Sequence, residues 1–368
     1  MLQDEIAKAQ RLVRTDAYQM SIGEVVSMYE NREIVIDPDF QRLFRWDIGQ
    51  KSRLVESLLL GIPLPPVFVF ERVDSSWELI DGLQRISTVL EFMGKLRSGG
   101  SLEPPSILEA TKYLPSLHNA VWEASDSVLG VPKDEQKEID KAHQLAIRRA
   151  RIGVEILKRP SDDHTKFDLF QRLNAGGTQA NPQELRNCIM LMINKPYYHA
   201  VKAAAEDPIF QKILAITEEH TERQRHMELA VRFLVHAYVP YDGTLDVEEY
   251  IDEGIVELAK AGDHVEAAGL IKRTFALLHS VCGNDALRRF DDGHHGGKVG
   301  LVGLEGIAVG IAKNLDAILA LGSPQDFVRQ KIQDFWSQPQ TANLTSPGLR
   351  GTTRIQRTVP FGEVWFRP

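Results

Sequence analysis

Leu79-Ile80-Asp81-Gly82-Leu83-Gln84-Arg85-Ile86-Ser87-Thr88 is the stretch on which the reading of this chain turns. Trp77 to Ile80 is an apolar run of strand length, and Ile86, Val89, Leu90 and Met93 follow at helical spacing. Asp81-Gly82 therefore sits in a strand-to-helix turn. Glycine lets the backbone turn tightly and approach a ligand. The helix start presents free N–H groups and a positive dipole end, which suit an anion. Arg85 adds a planar donor that matches phosphate in two places. Asp81 can orient that arginine, or hold a metal or a water. Gly82, Gln84, Arg85 and Thr88 are thus candidate phosphate-binding residues. The plainer reading is a tight turn with a surface ion pair, since the spacing is not a standard glycine-rich fingerprint.

Upstream, Ser21 with Glu24 three residues later has capping-box spacing, so a helix should run to about Glu30. Glu33 to Ile36 is short and β-rich, and Asp37-Pro38 stops it. Phe40-Gln41-Arg42-Leu43-Phe44-Arg45-Trp46 alternates aromatic with polar or basic side chains. Gln41, Arg42, Arg45 and Trp46 could stack a base and bind phosphate; equally, the aromatics could be the core side of a β-turn. Residues 50–60 return to helical spacing, Gly61 to Pro66 breaks that helix, and Val67 to Phe70 is a strand.

Downstream, residues 97–145 are irregular and read as an insertion with some helix. Ile152 to Leu157 is a strand candidate, preceded by Arg148, Arg149 and Arg151. Residues 164–173 look helical and end at Asn174-Ala175-Gly176-Gly177, a natural helix C-cap. Asn181 and Pro182 open another helix, whose Glu184 and Arg186 cannot share a face. From 195 to 338 the periodicity is helical with no convincing strand. Asp291 to Lys298 fits neither P-loop spacing nor a zinc motif and reads as a surface loop. The tail 341–368 carries four arginines and one glutamate, so it is locally basic; it either touches phosphates or docks on its own domain.

The whole chain has 368 residues and a formal charge of −8, which excludes a globally basic nucleic-acid coat while leaving local basic patches open. Its two cysteines, Cys188 and Cys282, are far apart, so neither a disulfide framework nor a cysteine zinc site is expected, and a reducing cytoplasm fits. Met1 to Glu5 has no signal-peptide character. Leu301 to Leu321 contains Glu305, Lys313 and Asp316, so it reads as a buried helix rather than a membrane span. The expected fold class is α+β: a small α/β core followed by a mostly helical C-terminal domain. The expected organisation is a domain over 1–195 with the insertion at about 97–145, a helical domain over 196–340 and the basic tail.

Four stretches in this order carry a family resemblance: FQRLFRW from Phe40, KSRLVESLLLGIPLPPVFVFE from Lys51, WELIDGLQRISTVLEF from Trp77 and FQRLNAGGTQANPQELRN from Phe170. Together they resemble the N-terminal domain of GmrSD-type restriction enzymes, in the ParB/sulfiredoxin-like superfamily, over about residues 20–190. The family's central motif is Asp-Gly-Gln-Gln-Arg; Leu83 stands at its third position here, with Asp81, Gly82, Gln84 and Arg85 intact.

The resemblance implies a ParB-like core whose turn binds phosphates of a nucleotide or nucleic acid. It also implies that Gln41, Arg42 and the loop Asn174 to Gly177, including Gly176, line the same cleft. Related members belong to restriction or phage-defence systems and couple nucleotide hydrolysis to a separate nuclease domain. No His-Asn-His nuclease motif is evident after residue 200.

The leading expectation is therefore a nucleotide-binding, NTP-hydrolysing domain acting with Mg²⁺. Arg85 and the helix start would hold phosphates and Arg42 would neutralise developing charge. Asp81 would orient Arg85 or bind Mg²⁺ through water, and Glu184 would position water. Binding without turnover would leave the same residues in place. A second expectation is a non-catalytic nucleic-acid-binding or regulatory subunit of a separately encoded effector, using Arg42, Arg45, the 148–151 arginines and the tail. A third is a Mg²⁺-dependent DNA nuclease that gathers Asp39, Asp81 and Glu184. The partners in view are a nucleoside triphosphate, DNA, an effector protein and a second copy of the chain, with no membrane.

Overall fold

The computed structural model describes residues 14–36, 46–98, 100–158, 181–222, 224–341, 343–344 and 348–368. The chain divides into two compact units, Met1–Gln179 and Ala180–Pro368.

The first unit is built on a five-stranded mixed sheet. Its strands are β1 (Arg14–Ser21), β2 (Ile34–Val35), β3 (Val67–Glu71), β4 (Trp77–Asp81) and a late strand, Arg151–Lys158, which is β9 in chain order. The spatial order is β1-β9-β3-β4-β2. β1 runs antiparallel to β9, β9 parallel to β3, β3 antiparallel to β4, and β4 parallel to β2. β9 is flanked by strands on both sides, and its alternating Ile152, Val154 and Ile156 are each 1% exposed, so one face of this strand is dry.

Helix α1 (Ile22–Glu30) starts where β1 stops. The Ser21 hydroxyl accepts the Glu24 N–H at 3.1 Å, the cap that the spacing predicts. Its buried face is Ile22, Val25 and Val26. Helix α2 (Ile48–Leu60) opens on an Asp47–Gln50 capping box and ends at Gly61, which is left-handed at φ 69°. Helix α3 (Leu83–Phe92) follows β4, and the Lys51–Glu91 ion pair at 2.6 Å ties α2 to it.

Residues 97–145, read as an insertion with some helix, have two 3₁₀ turns and, from Lys141, the start of an α-helix, and are otherwise irregular apart from short strands. They contain short strand pairs, β5 (Arg97–Ser98) with β6 (Ser101–Leu102) and β7 (Ala120–Val121) with β8 (Lys137–Glu138). Two 3₁₀ turns, Pro115–Leu117 and Lys133–Glu135, complete them. Pro104, Pro105, Pro115 and Pro132 explain this, since each removes a helical donor. The buried carboxylate of Glu56, on α2, organises the segment instead. It accepts the Thr111 hydroxyl and the N–H groups of Tyr113 and Leu114, and these donors hold its pKa below the usual value. Helix α4 (Lys141–Arg149) leads from there into β9.

The second unit is helical: α5 (Pro182–Ile193), α6 (Lys195–Ala205), α7 (Pro208–Ile213), α8 (Glu218–Glu222), α9 (Arg225–Tyr238), α10 (Val247–Ala261) and α11 (His264–Cys282) come first. It takes in α5, which the sequence pattern assigns to the first domain. One π-helical turn, Gly303–Ala308, runs into α12 (Val309–Lys313); α13 (Leu315–Leu319), α14 (Pro324–Phe335) and α15 (Gly351–Trp365) follow.

One expectation changes here. Residues expected to lack strands contain a hairpin, β10 (Arg289–Asp291) with β11 (His294–Gly296). Its turn residues Asp292 and Gly293 both have positive φ, 47° and 80°, the backbone that a two-residue hairpin favours. The basic tail docks on its own unit, one of the two readings its sequence allows. Ile355, Thr358 and Phe366 are fully buried, and Arg354 grips Glu305 of the π-turn through two bonds of 2.9 Å. Of the Leu301–Leu321 stretch, Val302 to Ala312 are buried as expected while Leu319 is 45% exposed, and among the described residues no helix is long and apolar enough to cross a membrane.

Candidate functional site

The site is the junction of β4 and α3. Gly82 occupies a left-handed position, φ 88° and ψ 12°, where an L side chain is strained. A Cβ there would stand 2.3 Å from Cγ1 of Val67 on neighbouring β3. The glycine is thus demanded by packing and by backbone sign, before any ligand is considered. No side chain caps the first turn of α3. Its leading N–H groups keep the positive end of the helix uncovered by a capping oxygen.

Arg85 lies in that first turn with 13% of its side chain exposed. Its Nη2 contacts the Asp81 carboxylate at 3.2 Å and the Pro66 carbonyl at 3.2 Å, and its Nη1 donates to the Pro65 carbonyl. Burial works against the guanidinium's charge and Asp81 restores part of it. Asp81 therefore orients Arg85, and its side chain stays 32% exposed. Pro65 and Pro66 are partners that sequence reasoning missed. The signal was present: a Pro-Pro segment offers carbonyls and no N–H groups, which suits an arginine rich in donors.

Gln84 reaches the other way. Its amide oxygen accepts the Trp46 N–H at 3.1 Å, which fastens the start of the 46–60 segment to α3. Asp81, Gly82, Gln84, Arg85 and Trp46 are thus brought together. Leu83 is 8% exposed, so the motif's variant position is part of the core, where leucine fits. Thr88 is 1% exposed and packs inward, so it serves the helix's buried face rather than the turn.

Gln41, Arg42, Arg45, Asn174, Gly176 and Gly177 lie outside the described residues, as does Asp39. Glu184 belongs to the second unit. There it closes a capping box: its carboxylate accepts the Asn181 N–H at 2.8 Å, and the Asn181 amide oxygen accepts the Glu184 N–H at 2.9 Å. Half-burial raises its pKa. Arg186, two residues on, is a structural partner with 1% exposure, donating to Asp252 at 2.6 Å and to Glu248 at 2.5 Å. Among the described residues no three His, Cys, Asp or Glu side chains converge as a metal site.

No curated protein and no solved structure matches the chain. Residues 22–191, which carry the Asp81–Arg85 turn, match the model of the family described as GmrSD restriction endonuclease, N-terminal domain.

Proposed function

We propose that the Asp81–Arg85 turn is a nucleotide phosphate site, and that the domain binds and hydrolyses a nucleoside triphosphate as a component of a prokaryotic restriction or phage-defence system. The observation that carries this reading is the uncapped first turn of α3, with a largely desolvated guanidinium held beside it by Asp81. A preorganised arginine at a helix start suits phosphate and needs little reorganisation when charge develops. The family match supports the restriction context.

Mg²⁺ suits this reading as the companion of the triphosphate. It is held by one or two carboxylates together with phosphates and waters. Asp81, a third exposed and with one oxygen turned to Arg85, fits a role through water. Bound there, the ion would screen the charge of the phosphates. Glu184 is engaged in its capping box and takes no catalytic role in this reading.

Calorimetric titration of the full chain with a panel of ribo- and deoxynucleoside triphosphates and Mg²⁺ tests the proposal. At least one should bind, and Arg85→Lys should weaken it about ten-fold, since an ammonium cannot replace the bidentate fork. Absence of binding across the panel would refute the site.

A second reading, nucleic-acid binding without turnover, is favoured by one observation. Arg148, Arg149 and Arg151 are exposed at the α4–β9 junction and have no acidic partner among the described residues. Oligonucleotide binding that steepens with falling salt and is lost in a triple charge reversal would support it.

A further inference from the structure

A depression of about 550 Å³ opens beside α1 in the first unit, apart from the Asp81–Arg85 turn. Tyr18 and Met20 of β1 line it together with Trp77 of β4, Met28 and Glu24 of α1, and Glu33. Its size falls in the range of roughly 300–1,000 Å³ that ligand sites occupy.

The lining has a definite chemistry. It contains two aromatic rings and two thioethers, and no lysine or arginine. Tyr18 is 51% exposed, an unusual position for a large ring that only packs. The carboxylates of Glu24 and Glu33 have no cationic partner among the described residues. Glu33 receives only the Asn31 side-chain amide, at 3.3 Å. Lys158 is paired with Asp16, and Lys95 with Glu30 at 2.8 Å, while Arg32, Arg148 and Arg151 do not line the depression. Two unpaired carboxylates repel a phosphate-bearing strand, whereas aromatic faces flanked by carboxylates attract a guanidinium or ammonium group. The methionines supply an adaptable apolar floor for the stem of such a side chain.

We propose that this depression is a docking site for a basic peptide segment of a partner protein, whose arginine or lysine side chains lie against Tyr18 and Trp77 and pair with Glu24 and Glu33. The site is independent of nucleotide binding at α3, so either can fail alone.

The test is fluorescence anisotropy of the full chain with a short labelled peptide alternating arginine and glycine. A glutamate–glycine peptide of equal length and a single-stranded thymidine oligonucleotide serve as competing probes. The arginine peptide should bind, more weakly as salt rises, and the other two should not. The double variant Glu24→Gln/Glu33→Gln should lower affinity about five-fold, and Trp77→Leu should lower it as well. Asp134→Asn/Glu135→Gln, an exposed pair in the insertion, should leave it unchanged. Failure of the arginine peptide to bind would overturn the proposal. So would equal loss in the control pair, no loss in the Glu24/Glu33 variant, or preference for the oligonucleotide.

Discussion

Arg85 Nη2 and Asp81 Oδ2 stand 3.2 Å apart across the left-handed Gly82, while the same guanidinium holds the carbonyls of Pro65 and Pro66. One side chain thus locks the segment entering β3 to the turn leaving β4. Removing it has a cost in the fold as well as in any chemistry. Arg85→Ala should destabilise the first unit by about 2 kcal/mol, the scale for hydrogen bonds to a charged group at a mostly buried site. Urea unfolding followed by tryptophan fluorescence measures this, and a loss near zero would show that the carbonyl contacts are incidental.

Gly82→Ala meets two separate penalties. The backbone sign disfavours any Cβ, and the Cβ meets Val67 at 2.3 Å. The combined loss should be about 3 kcal/mol. Adding Val67→Ala should recover only part of the steric penalty, since the Val67 Cβ itself would stand 2.9 Å away, and leave the backbone part. A double-mutant cycle in denaturant measures the part recovered.

In the second unit, His236 is 1% exposed, stacks on Tyr250 at 5.6 Å and has no hydrogen-bond partner for either ring nitrogen. Burial, and then Arg232, Arg354 and Lys313, push its pKa down to about 3. The ring is neutral in the folded chain at every pH above that value. In the unfolded chain it protonates near pH 6.5. Stability from this group is therefore complete above about pH 6.5 and is lost as pH falls towards 3, at about 1.4 kcal/mol per pH unit. His236→Phe should keep the stacking, remove this slope and be at least as stable at pH 7. Denaturation midpoints between pH 4 and 7 check it.

Glu305 and Arg354 form a buried pair where α15 meets the π-turn, and burial raises the Glu305 pKa while Arg354 opposes it. The two backbones are close there: a Cβ on Gly362 would lie 2.1 Å from the Gly306 carbonyl oxygen. Arg354→Met should cost about 3–5 kcal/mol by leaving a buried carboxylate unpaired. Glu305→Leu/Arg354→Met should restore most of that loss. A double variant as unstable as the single one would mean that shape, not charge, fails at this joint.

Much of this architecture is legible in local sequence. The caps at Ser21 and Asn181 and the strand–Asp81-Gly82–helix turn are signals carried within a few residues, and the structure has those elements. β1 is not legible, because Arg14 to Ser21 is a largely polar edge strand, with Met20 the strongly buried residue among Thr15 to Ser21. The Asp292-Gly293 hairpin turn resembles a loop because its strands are three residues long. The settings of Arg85 and Arg186 depend on Pro65, Pro66, Glu248 and Asp252, which are distant in sequence and brought close only by folding.

Phosphate release from nucleoside triphosphates with Mg²⁺, compared between the full chain and an Arg85→Lys variant shown to be folded by circular dichroism, tests the central claim most directly. The account predicts release from at least one nucleotide and its loss in the variant. No release from any nucleotide, or equal release from both proteins, would contradict it.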